Sequence, residues 1–176
     1  MNTPNFDVTT YQDTDVIRRA LMGYPGGSMN PRHRHGKTVA LVGLSANELR
    51  ASNFVGRYLL RHGYEVFPVN PKEQQILGRE AYASLSDLPV PVSVVDVFRA
   101  PSAVPGIAEE AVAIGAGCLW LQYGIFTEEG NRIALEGGMD LVVDRCMKVE
   151  HARYFGRMHW LGMNTGQISA QRAGAV

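Results

Sequence analysis

Five short apolar runs recur along the chain, most of them separated by polar loops and by stretches with the spacing of amphipathic helices. The runs are TVALVGL (38–44), YEVFPV (64–69), VSVVDVF (92–98), GCLWLQY (117–123) and MDLVV (139–143). Continuous apolar runs of this length are typical of parallel strands that are buried on both faces of a sheet. The pattern therefore predicts five such strands.

Helices are predicted over residues 54–61, 102–115 and 127–138, with a single helical turn near 84–88 in a mixed segment. Gly63 and similarly placed glycines end these helices. The alternation predicts a doubly wound, Rossmann-like α/β fold, in which a five-stranded parallel sheet carries helices on both faces. We expect a ligand crevice at the carboxyl ends of the strands, beside the first strand, where the strand order reverses.

The flanks of this core are predicted to belong to the same single domain, which spans residues 1–176. Residues 1–37 hold a helix over 13–23 and a linker, 38–150 form the core, and 151–176 are a C-terminal extension. The first helix is too short to bury a core alone, so we expect it to pack on the sheet. The aromatic stretch 154–160 and the tail should dock on their own domain or on a second copy, which favours a homodimer.

Composition narrows the classes of function. Lys+Arg and Asp+Glu are both 17, so the chain lacks the basic excess of nucleic-acid-binding proteins. Apolar runs stay well short of the roughly 18–20 residues of a membrane span, and the N-terminus lacks the features of a signal peptide. Cys118, expected in the core, and Cys146 are too few for a disulfide framework. We expect a soluble, cytoplasmic protein that binds neither nucleic acid nor membrane.

The loop after the first strand is predicted to bind phosphate. In doubly wound domains this loop holds anions at a helix N-terminus, where free N–H groups and the helix dipole favour them. It contains one glycine, Gly43, and has Ser45 where the dinucleotide fingerprint has its second glycine. Ser45, Ser52 and Asn53 can donate hydrogen bonds to phosphate, and Arg50 supplies charge. The alternative is a surface loop with ordinary helix caps.

The second strand ends in Val69, Asn70 and, past a proline, Lys72. An NAD site has an acidic residue here for the ribose hydroxyl, and none is available before Glu73. Lys72 suits a ligand with an additional phosphate. The alternative is an Asn-Pro turn that leaves the lysine in solvent.

The third and fourth strands end at the same predicted edge. Phe98 and Arg99 follow the third strand and could enclose a purine, although Phe98 could equally be a core residue. Gln122 and Gly124 follow the fourth strand and should face the same crevice. All four strand ends thus offer residues to one ligand.

The motifs VALVGLS, YEVFPVNPK, VVDVFR, LWLQYGI and VVDRC resemble, in this order, those of the CoA-binding domain family, which includes the N-terminal part of the succinyl-CoA synthetase α subunit. The resemblance covers about residues 38–150 and implies a Rossmann-like fold that binds coenzyme A or an acyl-CoA. The resemblance implies that the pyrophosphate lies at the first loop, near Gly43, Ser45, Arg50, Ser52 and Asn53. It implies that the ribose phosphate lies near Val69, Asn70 and Lys72. The adenine would then lie by Phe98 and Arg99, and the pantetheine near Gln122 and Gly124. The chain departs from its relatives at Asn47-Glu48, where a basic residue is common.

Other chemistry is less favoured by the sequence. His33 and His35 could form a metal pair, but no carboxylate or cysteine lies nearby in sequence, and a solvated linker is favoured. Cys146 lies beside Arg145 and Lys148 and could be a reactive thiol that pairs with the CoA thiol; a buried side chain after the last strand is favoured. The spacing supports no catalytic residue and no metal ligand.

Two classes of function remain. The first is a CoA-binding protein without catalysis of its own, and the second is an NAD(P)-dependent oxidoreductase or another nucleotide-binding enzyme. The missing second glycine of the first loop and the missing acidic residue after the second strand favour the CoA-binding protein.

Overall fold

A five-stranded parallel sheet forms the centre of the molecule in the computed structural model, which describes residues 11–25 and 29–156. In chain order the strands are β1 (Thr38–Val42), β2 (Glu65–Val69), β3 (Gln75–Ile76), β4 (Arg79–Glu80), β5 (Val94–Val97), β6 (Cys118–Leu121) and β7 (Asp140–Val142). The central sheet has the order β2-β1-β5-β6-β7, and β3 and β4 form a separate hairpin. The five predicted strands are confirmed, each shorter than its apolar run.

The strand order reverses at β1, as predicted. β1 pairs in parallel with β2 on one side and with β5 on the other, so that Leu41 lies opposite both Pro68 and Asp96. The chain crosses from one edge of β1 to the other between β2 and β5. The loops at the carboxyl ends of β1 and β5 therefore separate at this point and leave room for a ligand.

Helices cover both faces of the sheet, which confirms the predicted fold class. They are α1 (Thr14–Leu21), α2 (Ala51–Arg61), α3 (Val104–Ala113), α4 (Glu128–Glu136) and α5 (Met147–Phe155). Alternate residues of each strand point to opposite faces. Leu41 and Trp120 belong to the core under α1, α2 and α5, whereas Val42 and Leu121 belong to the core under α3 and α4.

The first helix packs on the sheet, as expected. The Asp13 side chain accepts hydrogen bonds from the backbone N–H groups of residues 15 and 16 at its start, and Ile17 and Leu21 are buried in the core. At the other end of the chain, Tyr154 on α5 is buried in the same core. The rest of the C-terminal extension, from residue 157, lies outside the described residues.

Two local features differ from the expected pattern. α3 begins at Val104 rather than at Ser102, because Pro101–Ala103 form a 3-10 turn first. The β3–β4 hairpin was not expected. Its turn has φ 55° at Leu77 and 72° at Gly78, a pair of left-handed residues typical of two-residue hairpins, where leucine is unusual.

The prediction of a solvated linker is wrong for His33. Its ring is buried and stacks on Tyr24 with ring centroids 3.8 Å apart, and His33 Nε2 lies 3.5 Å from Asp140 Oδ2. Among residues 11–25 and 29–156, no group of three or more His, Cys, Asp or Glu side chains could hold a metal ion. Within those same segments, none of the helices has the length and apolar character needed to cross a membrane.

Candidate functional site

The carboxyl ends of β1, β2, β5 and β6 lie along one edge of the sheet, and every residue predicted to bind the ligand lies at or after one of these ends. A cleft of about 220 Å³ opens at this edge on the side covered by α3. On the other side of the sheet, α2 begins directly after the first loop. We call the cleft and the adjoining strand ends the crevice.

Gly43 is the residue at which the chain leaves β1. Its φ is +88°, a left-handed conformation that glycine adopts without strain. Its N–H donates to the Val69 carbonyl (2.9 Å), which joins the ends of β1 and β2. A Cβ at this position would lie 2.8 Å from Arg99 Cδ. Glycine is therefore required for Arg99 to pack across the end of β1.

The first loop is held by its own polar side chains. Ser52 Oγ accepts from the Ser45 N–H (3.1 Å), and Asn53 Nδ2 donates to the Ser45 carbonyl (2.8 Å). Ser45 Oγ in turn accepts from the Asn47 N–H (3.1 Å). Ser52 and Asn53 are buried. These side chains shape the loop around the start of α2, where Arg50 occupies the N-cap position with an exposed side chain.

Glu48, an acidic residue of the first loop, has a basic partner. Glu48 Oε2 lies 3.8 Å from Arg57 Nη1, and Arg57 Nη2 donates to the Glu48 carbonyl (3.2 Å). The Arg57 guanidinium also lies 5.1 Å from the Phe54 ring centroid. Arg57 comes from the second turn of α2, and no sequence motif marked it. Its charge offsets the carboxylate that Glu48 brings to the loop.

Asn70 ties the end of β2 to the first loop. Its Nδ2 donates to the Leu44 carbonyl (2.9 Å), and its Oδ1 accepts from the Lys72 N–H (3.0 Å). The Lys72 side chain is exposed. Neither Lys72 nor Arg50 takes part in an ion pair within the described part of the chain. Both cations are therefore available to an anionic ligand.

The cleft is built partly from residues that sequence reasoning missed. Glu110 Oε2 accepts from the Leu85 N–H (3.0 Å) and so holds the 3-10 turn Leu85–Asp87 against α3. Small and apolar residues spaced four apart at the start of α3 were a weak sign in the sequence that this helix lines the cleft. The cleft is lined by the predicted Gly43, Val69 and Arg99 and by Val42, Pro71, Ala83, Ser84, Leu85, Ala103, Ile107 and Glu110.

Phe98 and Arg99 lie on opposite sides of the sheet. Consecutive residues of an extended segment point in opposite directions. Arg99 lines the cleft, whereas Phe98 is half-buried against the core under α1, α2 and α5. The structure thus brings Arg99 into the cleft without Phe98.

Gln122 is buried against an acidic residue of β5. Its Nε2 lies 2.8 Å from Asp96 Oδ1 and 3.1 Å from Asp96 Oδ2. Burial raises the pKa of Asp96 to about 8, and the hydrogen bond from Gln122 opposes this shift. The neighbouring Gly124 N–H donates to Asp144 Oδ1 (2.8 Å), and Asp144 itself has a left-handed φ of 57°. Strained backbone of this kind is held by its surroundings, here at the edge of the crevice.

Both cysteines are buried. Cys118 lies in the core, as expected, and Cys146 occupies the N-cap position of α5. Burial raises the pKa of the Cys146 thiol, and hydrogen bonds from the backbone of Val149 and Lys148 oppose this. A buried thiol with a raised pKa is a poor nucleophile. The favoured interpretation, a buried side chain after the last strand, is confirmed.

Comparisons with known proteins identify the family and the fold of the chain. A family model described as a CoA binding domain matches residues 37–152. YneT of Bacillus subtilis is 39% identical over 116 residues, which cover 66% of this chain and 86% of YneT. The ADP-forming acetate–CoA ligase I of Archaeoglobus fulgidus is 33% identical over 123 residues, which cover 63% of this chain and 18% of the ligase. A solved structure of a Pyrococcus horikoshii protein is 37% identical, with a TM-score of 0.71, and the match covers 87% of this chain and 98% of that one.

Proposed function

This chain belongs to the CoA-binding domain family, and we propose that it binds coenzyme A or an acyl-CoA in the crevice without catalysing a reaction of its own. The proposal rests on one observation: the cleft, Gly43 and the start of α2 lie next to one another along the sheet edge. A cleft with both apolar and polar lining on one side of the sheet adjoins a helix N-terminus on the other, across a residue with no side chain. A nucleotide with a long phosphate-linked arm fits such a path.

Each part of the ligand has a matching environment in the proposal. The adenine lies in the cleft among Val42, Val69 and Ile107, with Arg99 across one end. The pyrophosphate lies over Gly43 at the start of α2, where free N–H groups and the helix dipole stabilise anions. The pantetheine arm then runs towards the carboxyl end of β6.

The cations around the crevice suit a ligand with three phosphate groups. Arg50 is assigned to the pyrophosphate, and Lys72 to the ribose phosphate beyond the end of β2. Both side chains are exposed and project from loops that hydrogen bonds hold in place. A hydrogen bond to a charged group contributes about 1.5–3 kcal/mol. One such contact therefore changes affinity by about ten- to hundredfold.

A binding role without catalysis is supported by the state of the buried titratable groups. Burial raises the pKa of the Asp96 carboxyl and of the Cys146 thiol, so both favour their uncharged forms. An efficient general base must also reach the proton that it removes, which a side chain enclosed in the core does not. Asp96 is fully buried and already contacts Gln122.

The proposal is tested by titration calorimetry with CoA, dephospho-CoA and NADH. Lys72→Ala should weaken CoA binding about tenfold or more and leave dephospho-CoA nearly unaffected, because only CoA carries the ribose phosphate. Arg50→Ala should weaken both CoA ligands equally, since both keep the pyrophosphate. Arg61→Ala, at the far end of α2, is the matched control. Failure of CoA to bind at millimolar concentration, or no effect of either crevice variant, contradicts the proposal.

A further inference from the structure

The cleft contains an acidic side chain, although the proposed ligand is an anion. Glu110, on α3, lines the cleft together with Arg99. Neither residue takes part in an ion pair within the described part of the chain, so Arg99 does not neutralise the carboxylate. A carboxylate repels the phosphate groups of a ligand. The part of the ligand that lies beside Glu110 must therefore be a hydrogen-bond donor.

One oxygen of the Glu110 carboxylate is held by the backbone. Oε2 accepts from the Leu85 N–H (3.0 Å), and Leu85 is buried in the core under α3 and α4. Across residues 11–25 and 29–156, Glu110 makes no other hydrogen bond and no ion pair. Glu110 is half-buried and lines the cleft. Oε1 is therefore the oxygen that remains free to accept a hydrogen bond from a ligand.

The other polar groups of the cleft do not take over this role. Ser84 Oγ and the Ser84 N–H both donate to Asp87 Oδ2 (2.8 and 3.0 Å), so the donors of Ser84 are used within its own turn. Arg99 is a donor only. Among the described residues that line the cleft, Glu110 supplies the one carboxylate, and most of the others are apolar.

The adenine is the part of CoA that matches this lining. Its flat ring suits the apolar walls formed by Val42, Val69 and Ile107, and its exocyclic amine is a hydrogen-bond donor, whereas its unprotonated ring nitrogens are acceptors. The ribose hydroxyl is a second donor of the nucleotide. The adjoining ribose phosphate is assigned to Lys72, which does not line the cleft, and this favours the amine as the partner of Glu110.

We infer that Glu110 selects the base of the ligand, because its Oε1 accepts from the exocyclic amine of adenine and opposes a base with a carbonyl oxygen at that position. The inference rests on the proposed function, in which the adenine lies in the cleft. A hydrogen bond to a carboxylate is stronger than one between uncharged groups. A site built to bind an N–H group strongly rejects an analogue that lacks it, since the acceptor is then left unpaired.

The first test compares CoA with its analogue in which hypoxanthine replaces adenine, by titration calorimetry on the wild-type protein. The analogue has a carbonyl oxygen in place of the amine and keeps the phosphates and the pantetheine arm. We expect CoA to bind about ten- to hundredfold more tightly than the analogue. Equal binding of the two ligands overturns this inference and leaves the proposed function intact. Failure of CoA to bind at millimolar concentration removes both.

The second test assigns the selectivity to Glu110. In Glu110→Gln the amide oxygen can still accept from the Leu85 N–H, which turns the amide NH2 group towards the cleft as a donor for the hypoxanthine carbonyl. The preference for CoA should therefore fall at least tenfold. Glu109→Gln removes the same charge from the neighbouring, exposed position of α3 and is the matched control, which should keep the preference.

The ratio of the two affinities separates base selection from a structural role. If Glu110 only held the turn at Leu85 in place, Glu110→Gln would weaken both ligands by the same factor and leave the ratio unchanged. A wild-type ratio in Glu110→Gln, or an equal change of the ratio in Glu109→Gln, overturns the assignment. Should Glu110→Gln not fold, which thermal unfolding shows, the wild-type comparison still decides.

Discussion

Gly43→Ala is expected to reduce ligand affinity in addition to the stability that any alanine loses at this backbone conformation. Alanine at a left-handed φ costs about 1–2 kcal/mol, and a restricted unfolded chain offsets about 0.4–1 kcal/mol of this. For a chain of this size, the strain alone should lower Tm by up to about 6 °C. The new Cβ would also lie 2.8 Å from Arg99 Cδ, so Arg99 must leave its place across the cleft.

The loss of the Arg99 contact with the adenine should weaken CoA binding by about two- to thirtyfold, as expected for a cation–π contact of about 0.5–2 kcal/mol. Gly63→Ala is the matched control: Gly63 has φ +80°, nothing lies within 4 Å of its added Cβ, and it follows α2 at the opposite edge of the sheet. Both variants should have a lowered Tm in thermal unfolding because of the backbone strain. Calorimetry should show a loss of CoA affinity only for Gly43→Ala. Wild-type affinity in Gly43→Ala, or an equal loss in both variants, would refute this reasoning.

Asn70→Ala removes the hydrogen bond to the Leu44 carbonyl and should lower the free energy of unfolding by about 1–2 kcal/mol in urea titrations, together with CoA affinity; unchanged affinity would show that the first loop keeps its shape without it. Asp96→Asn should remove a pH dependence of stability. Burial raises the pKa of Asp96 from 3.8 to about 8 in the folded state. Its contribution to the free energy of unfolding is therefore complete below about pH 4. The contribution is lost as the pH rises to about 8, by up to about 1.4 kcal/mol per pH unit. Urea titrations at pH 5 and pH 8 check this, and a constant difference between wild type and variant contradicts it.

The sheet could be predicted from the sequence because each strand is buried on both faces and therefore reads as an unbroken apolar run. The same reasoning failed at the β3–β4 hairpin, where the strands are two residues long and Leu77 occupies a left-handed turn position. Turn prediction relies on Gly, Asn and Asp, and a leucine held there by its surroundings carries no such signal.

The strand-end loops of the crevice could be predicted, but the partners of the side chains could not. Ser52 and Asn53 were expected to donate to phosphate, and in the structure they hydrogen-bond to Ser45 and are buried. A short polar side chain near a helix N-terminus can hydrogen-bond to a ligand or to the nearby backbone equally well. The sequence does not distinguish these uses, since the choice depends on how the loop folds back on α2.

The position of the crevice follows from the strand order. Because the chain passes from β2 to β5 across β1, the connection after β1 runs to the α2 side and the connection after β5 runs to the α3 side. A ligand that uses both the cleft beside α3 and the N-terminus of α2 must therefore cross the end of β1. That crossing is at Gly43, where an added Cβ would meet Arg99. The strand order thus sets the crossing point at the end of β1, and the glycine that the sequence has there leaves the proposed ligand room to cross the sheet.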